Sequence, residues 1–176
     1  MTTSEYILNF ALVGLVLLQI RGIKITKTGL LLPVVMTTWF ATSLLKAIPT
    51  AGNDLVLEIG AALAGATLGA CAGLATGVTR HGATAIAKAG ALAAFLWVVG
   101  IGARVTFSLW TSHGGASTIR DFSIAHHITG GAAWGTAFIL MALTEVITRT
   151  GVIYAKTRGT GAVIERGGLI RRFVTA

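Results

Sequence analysis

Five long apolar stretches constrain this chain more strongly than any other feature of its sequence. A helix needs roughly 20 mostly apolar residues to cross the hydrocarbon core of a bilayer, and each stretch is close to that length. We therefore predict an all-α integral membrane bundle of about five transmembrane helices. The predicted spans run from Tyr6 to Ile20, from Gly29 to Ile48, from Asp54 to Val78, from Ala89 to Trp110 and from His127 to Thr148.

The composition favours the same class of protein. Of the 176 residues, 54% are hydrophobic and 11% are charged, whereas soluble chains carry about 25% charged residues. The net charge of +8 comes from residues at the ends of the apolar stretches, which indicates contact with a lipid bilayer and argues against nucleic acid as a partner. The single cysteine, Cys71, fits no metal-binding spacing, and we predict neither a metal nor a cofactor.

The distribution of positive charge predicts the orientation. All lysines and arginines except Lys46, Arg104 and Arg120 lie on one side of a five-span arrangement. Because Lys and Arg concentrate in cytoplasmic segments, the N-terminus is predicted outside and the C-terminus inside. We expect a multi-pass protein of a cell membrane, in bacteria the plasma membrane, with a transmembrane domain at 1–150 and a basic cytoplasmic tail at 151–176.

The third span carries a stripe of small residues. Gly65, Gly69, Gly73 and Gly77 recur at every fourth position, so one helix face is nearly bare and a neighbouring backbone can approach it closely. This pattern predicts a central helix. The sequence leaves open whether the partner helix belongs to the same chain or to a second copy, so a homo-oligomer through this face is one possibility.

Two carboxylic acids on the third span are the leading candidates for chemistry. Ionisable groups inside a membrane are costly and mark functional sites by default. Asp54 and Glu58 are four residues apart and share the face that continues into the glycine stripe. Together with Arg104 they suggest a polar cavity in the outer half of the bundle. The expected substrate-binding residues are Trp39, Trp97, Arg104, Phe107 and Trp134.

Two alternatives stay open for these groups. Glu58 and Arg104 could form an ion pair that only holds the third and fourth spans in register. The roles of His113, His126 and His127 are also open, and a haem held by His113 and one of the other two is an alternative. His126 and His127 are adjacent, so their rings diverge on a helix and do not ligate one metal easily.

The acids and aromatic residues suggest a reaction. A carboxylic acid held away from water can act as a proton donor near neutral pH, and aromatic faces stabilise a cation. A membrane enzyme that protonates an alkene of a hydrophobic isoprenoid substrate needs these parts. Glu58 would be the proton donor and Asp54 its orienting or reprotonating partner.

Two resemblances bear on this hypothesis. The runs WVVGIGARVTFSLWTSHGG and FSIAHHITGGAAWGTAFILMALTEVITRTGV look like those of small actinobacterial membrane proteins. In size, predicted spans and membrane acids, the chain resembles bacterial membrane-bound terpene cyclases of the drimentine, or indole sesquiterpenoid, type. That resemblance implies proton-initiated cyclisation of the prenyl chain of an indole or diketopiperazine, with Asp54 and Glu58 as the acids.

The second resemblance is to CcdC-like membrane proteins. Arg21, Lys27 and Pro33, followed by GVTRHG and Arg104, have a similar arrangement, which implies a non-catalytic assembly or partner-binding protein. The chain lacks the cysteines for a direct thiol role in such a process. A pore formed by a glycine-zipper oligomer is a third alternative.

Overall fold

The computed structural model describes residues 23–45, 49–81, 84–161 and 164. The first predicted span, Tyr6 to Ile20, lies outside the described residues, as do Lys46 and most of the predicted tail. The described part of the chain is mostly helical. Its helices are α1 (Lys27–Leu44), α2 (Asp54–Ala75), α3 (Ala91–Trp110), α4 (Ala116–Ala125) and α5 (Gly131–Gly159).

Three segments of the described chain are long and apolar enough to cross a membrane. They are Asp54–Ala75, Ala91–Ala125 and Gly131–Gly159. The multi-pass helical class is thereby confirmed, but the predicted count of five spans is not. The first predicted span cannot be assessed, and α1, which covers most of the second, is not among the three. The last span is longer than predicted, because α5 continues beyond Thr148 to Gly159.

From its polar sequence, TSHGGASTIRDFS, we expected a loop between the fourth and fifth predicted spans, but this segment is largely helical. A kinked turn at Thr111–Gly115 follows α3 and leads directly into α4. The kink lies at His113 and Gly114, where the backbone is not helical; Gly114 has φ 110°, a conformation that favours glycine. The polar residues of this region therefore lie on a short helix rather than on an irregular loop.

A small antiparallel sheet corrects the prediction of an all-α fold. Strands β1 (Ile23–Lys24), β2 (Thr76–His81) and β3 (Thr84–Ala89) form it in the order β1-β3-β2. The β2-β3 hairpin connects α2 to α3, with Thr76 opposite Ala89 and His81 opposite Thr84. The third predicted span continued to Val78, but α2 ends at Ala75. Both strands carry β-branched residues typical of sheets, but the start of β2 had been included in the apolar run of the third span.

Helices α2 and α5 form the largest contact between described elements, and they run parallel. Near one end of the pair, the Thr144 hydroxyl donates a hydrogen bond to the carbonyl of Ala62 at 2.8 Å. At the other end, the Lys156 ammonium group donates to the carbonyls of Leu74 at 2.6 Å and Thr76 at 2.9 Å. A cation is favourable at a helix C-terminus, where carbonyl groups lack helical partners, so Lys156 ties the end of α2 to α5.

The glycine stripe packs against α5 of the same chain. A Cβ atom added at Gly65 or at Gly69 would overlap the carbonyl oxygen of Met141 or of Glu145 respectively, and one added at Gly73 would lie 2.8 Å from Cβ of Val152. Such close backbone approach is the interaction that small residues permit in membranes. The face predicted for a homo-oligomer is therefore filled within the chain.

Gly77, the fourth residue of the predicted stripe, lies in β2 and does not extend the helix face. Elsewhere large apolar side chains point outward from the helices, as expected for helices in contact with lipid. They include Val56, Leu63, Phe95 and Trp39, which are 70%, 63%, 62% and 61% exposed.

Gly69→Ala tests the packing of α2 on α5. The added methyl group meets the Glu145 carbonyl, so we expect the free energy of unfolding to fall by about 1–3 kcal/mol, as for overpacked sites in general. The measurement is unfolding in detergent micelles. Gly60→Ala is the matched control, because no atom lies within 4 Å of its Cβ position and alanine favours a helix. Equal stability of the two variants would contradict this packing.

Candidate functional site

The N-terminal end of α2 is fastened to the segment that precedes α5. Asp54 is fully buried and accepts hydrogen bonds from the backbone N–H of Thr129, at 2.8 Å, and from the Thr129 hydroxyl. The neighbouring Asn53 donates from its backbone N–H to the carbonyl of His127 and from its side-chain amide to that of His126, both at 2.9 Å. Asp54 thus holds the two longest contacting helices together at this end, which is a positioning role.

Glu58 lies one turn further along α2 and is also buried, with 2% of its surface exposed. None of the described residues donates a hydrogen bond to its Oε1 atom. The contacts of Asp54 with Thr129 and of Gly65 with Met141 bracket this position, so Glu58 faces the first turns of α5. A buried polar atom without a partner is costly and usually has a functional reason. Of the predicted site residues, Glu58 is therefore the strongest candidate for a catalytic group.

Aromatic rings from three helices cluster at the same end of the bundle. Phe107 of α3 stacks on Trp134 of α5 with ring centroids 5.2 Å apart, and it lies 4.8 Å from Phe138. Phe122 of α4 is 6.1 Å from Trp134, and the Trp134 indole N–H donates to the Ser123 hydroxyl at 3.1 Å. Two of the predicted substrate-binding residues, Phe107 and Trp134, therefore belong to one aromatic cluster.

The other two predicted tryptophans do not join this cluster. Trp39 is 61% exposed on α1, so its ring faces outward. Trp97 is in the first half of α3, ten residues before Phe107, which corresponds to about 15 Å along the helix axis. The sequence pattern could not separate these tryptophans from Trp134, because an aromatic residue suits both a lipid-facing surface and an inner wall.

Arg104 pairs with Glu145, not with Glu58 as the ion-pair hypothesis supposed. The guanidinium Nη2 lies 2.6 Å from Oε2 of Glu145. The Glu145 backbone is beside Gly69, and Glu58 precedes Gly69 by eleven residues, or about 16 Å along α2. Glu58 and Arg104 therefore lie at different levels of the bundle rather than side by side, and the cavity predicted around both stays a prediction.

Glycine makes room for this ion pair. A Cβ atom added at Gly100 of α3 would lie only 3.0 Å from Oε1 of Glu145, so the carboxylate occupies the space that the missing side chain leaves. Arg149, one turn after Glu145 on α5, also interacts electrostatically with this carboxylate. The sequence analysis did not identify Arg104 as a partner of Glu145. The spacing of Glu145 and Arg149 was the available signal.

The histidines make local contacts at the end of the bundle where α2 and α5 begin. His113 Nδ1 is 2.9 Å from the carbonyl oxygen of Leu109 in the preceding turn, and the His126 ring lies 4.1 Å from that of Phe122. His127 has φ 55° in the turn before α5. In the part of the chain that the structure describes, no three His, Cys, Asp or Glu side chains form a group suited to a metal ion.

Comparison of the chain with protein-family models finds no match. No curated protein and no solved structure matches it either. The resemblances to terpene cyclases and to CcdC-like proteins therefore gain no support from these comparisons. The fold and the site define a class only: a multi-pass helical membrane protein with a buried acid and aromatic cluster at one end and an arginine–glutamate pair deeper in the bundle.

A double-mutant cycle tests the Arg104–Glu145 pair. Removing Glu145 leaves the Arg104 guanidinium within the bundle without its carboxylate, so we expect Glu145→Gln to cost about 3–5 kcal/mol of stability, and Arg104→Gln to cost less because Glu145 still interacts with Arg149. The double variant should cost clearly less than the sum, because no uncompensated charge remains between the two positions. Unfolding in detergent micelles provides the measurement, with Arg120→Gln on exposed α4 as a near-neutral control. Additive losses would show that the two residues are not coupled.

Proposed function

We propose that this protein is a membrane-embedded terpene cyclase that cyclises the prenyl chain of an isoprenoid or prenylated substrate, with Glu58 as the acid. The proposal depends chiefly on one observation, the burial of Glu58 with an Oε1 atom to which no described residue donates a hydrogen bond. A proton donor for an alkene must be kept from water and from a basic partner, since either would take up its proton.

The proposed reaction balances without an oxidant or a reductant. Glu58 transfers its proton to the terminal alkene of the prenyl chain, which leaves a tertiary carbocation. An internal alkene attacks this cation and closes a ring, and the new cation forms the product alkene by losing a proton to the carboxylate that Glu58 has become. The product is an isomer of the substrate, and Glu58 regains a proton before the next turnover.

The aromatic cluster supplies the second requirement of this chemistry. Cations are stabilised over the faces of aromatic rings, and Phe107, Trp134 and Phe138 lie within 6.5 Å of one another at the end of the bundle that carries Glu58. Asp54 is a positioning residue in this scheme, because the hydrogen bonds that it accepts from Thr129 hold α2 against the start of α5. The proposed reaction assigns no role to Trp39 or Trp97.

The bilayer is the proposed source of the substrate. Large apolar side chains cover the outer faces of the helices, so a hydrophobic molecule dissolved in lipid can reach them without crossing water. The resemblance to the indole sesquiterpenoid cyclases suggests a farnesylated indole or diketopiperazine, and the proposed setting is a bacterial plasma membrane with the acid toward the outer face. The CcdC-like assembly role is the alternative that the following experiment separates.

Glu58→Gln tests the assignment of the acid. We expect the purified protein in lipid nanodiscs to convert a farnesylated indole to a cyclic isomer, and Glu58→Gln to lower turnover at least about 100-fold, because general acids contribute that much or more. In D₂O the product should carry one deuterium at the position that was protonated. Asp121→Asn, at an exposed carboxylate of α4, is the control and should keep full turnover.

Two results would contradict the proposal. Full turnover by Glu58→Gln, at unchanged protein level, would remove Glu58 as the acid. The wild-type protein could also yield no cyclic isomer from farnesylated indole, farnesylated diketopiperazine or farnesyl phosphate. That result would reject the cyclase and leave the assembly role.

A further inference from the structure

The three-stranded sheet lies at the end of the bundle where α2 ends. Helix α2 has 22 residues, which corresponds to about 33 Å along its axis. This length is close to the roughly 30 Å of the hydrocarbon core of a bilayer. Strand β2 begins at the next residue, Thr76. With α2 across the membrane, the sheet therefore lies at the level of the lipid headgroups.

Helices α1 and α5 reach the same level. The backbone N–H of Ile25, just before α1, donates to the carbonyl of Ala85 in β3 at 2.8 Å. Val152 of α5 is beside Gly73 in the last turn of α2, and α5 continues to Gly159. The last turns of α5 therefore extend past α2. We call the sheet, the first turn of α1 and the part of α5 from Val152 onward the sheet end.

Three exposed cations lie at the sheet end: Lys27 in the first turn of α1, Lys88 on β3 and Arg158 in the last turn of α5. Ala85 and Ala89 of β3 are buried, and neighbouring residues of a strand point to opposite faces, so Lys88 is on the outward face of the sheet. None of the three cations forms an ion pair with a described residue.

The carboxylates of the described residues lie elsewhere. Asp54 and Glu58 are in the first turns of α2, at the opposite end of the bundle, and Asp121 is on α4. Glu145 is within the bundle in an ion pair. Lys156 adds a further ammonium group at the sheet end, where backbone carbonyls hold it. The described part of the sheet end therefore carries positive charge without a carboxylate to balance it.

The level of this surface and its charge together indicate what it binds. Lys and Arg close to a membrane surface are attracted to anionic phospholipids. The Arg158 guanidinium lies 4.8 Å from the centre of the Tyr154 ring, and this tyrosine is 39% exposed. Tyrosine is enriched at the membrane–water interface, so Tyr154 also fits a position among headgroups.

We propose that Lys27, Lys88 and Arg158 bind the phosphate groups of anionic phospholipids in the leaflet around the sheet end. Phosphatidylcholine has the same phosphate, but its choline group cancels the charge. The surface therefore distinguishes anionic from zwitterionic lipids. This binding does not depend on the proposed reaction at Glu58, which is at the other end of α2.

Lipid retention tests this proposal. The protein is purified in detergent with equal amounts of phosphatidylglycerol and phosphatidylcholine, and native mass spectrometry measures the ratio of the two lipids that it retains. We expect the wild type to retain about tenfold more phosphatidylglycerol. The triple variant Lys27→Gln, Lys88→Gln, Arg158→Gln should lose most of this preference. Equal retention of the two lipids by the wild type, or an unchanged preference in the triple variant, would overturn the proposal.

A matched pair of single variants controls for net charge. Lys88→Gln removes one charge at the sheet end and should lower the preference for phosphatidylglycerol. Arg120→Gln removes one charge from exposed α4, toward the opposite end, and should match the wild type. An equal loss in both variants would show that only the total charge matters and would contradict a surface at the sheet end.

A photoreactive phosphatidylglycerol provides a second readout in the wild-type protein, in case the triple variant does not fold. With the reactive group on the glycerol head, we expect labelled peptides from β3 or from the last turns of α5. Labelling confined to α4 would contradict the proposal. Loss of labelling in the presence of polyglutamate would assign the surface to an acidic protein partner, and loss with inorganic phosphate would assign it to a free anion; either result would overturn the lipid assignment.

The variant Glu58→Gln separates this proposal from the cyclase. It should keep the wild-type preference for phosphatidylglycerol, because its side chain lies at the opposite end of α2 from the sheet. If the protein prefers phosphatidylglycerol but forms no cyclic product, the lipid surface stands and the cyclase fails.

Discussion

Close packing of α2 on α5 is the interaction on which the rest of the structure depends. Gly65 and Gly69 bring the backbone of α2 against the carbonyl groups of α5, and lipid offers no hydrophobic drive that could replace this contact. Because the two helices run parallel and touch along their length, their register decides which polar groups meet. Asp54 at one end and Lys156 at the other fix that register by hydrogen bonds.

That register places the ionisable groups at two depths. Glu58 lies toward the N-terminal end of α2 with an aromatic cluster nearby, while Glu145 lies with Arg104 about three helical turns further along the bundle. The separation keeps the arginine away from the acid, which is what acid chemistry at Glu58 needs, because a close arginine would hold the carboxylate in its charged form.

The sequence predicted the helical segments better than it predicted their partners. The bounds of the third and fourth spans agree with α2 and α3 to within three residues at each end, since apolar length is a local property. The kinked turn and α4 replaced an expected loop, and the hairpin was not foreseen, because the apolar run of the third span continues to Val78, inside β2. Asp54 and Glu58 were identified from their spacing, but the partner of Arg104 was not, as Glu145 is 41 residues away.

What the sequence alone determined is the membrane class, the acids on α2 and the bare glycine face, all of which follow from composition and helical periodicity. Only the tertiary structure decided that α5 of the same chain covers this face, that Arg104 binds Glu145 and that Phe107 and Trp134 share a cluster while Trp39 faces outward. The reason is physical: periodicity states which residues share a face of one helix, whereas the meeting of two faces depends on the register between helices.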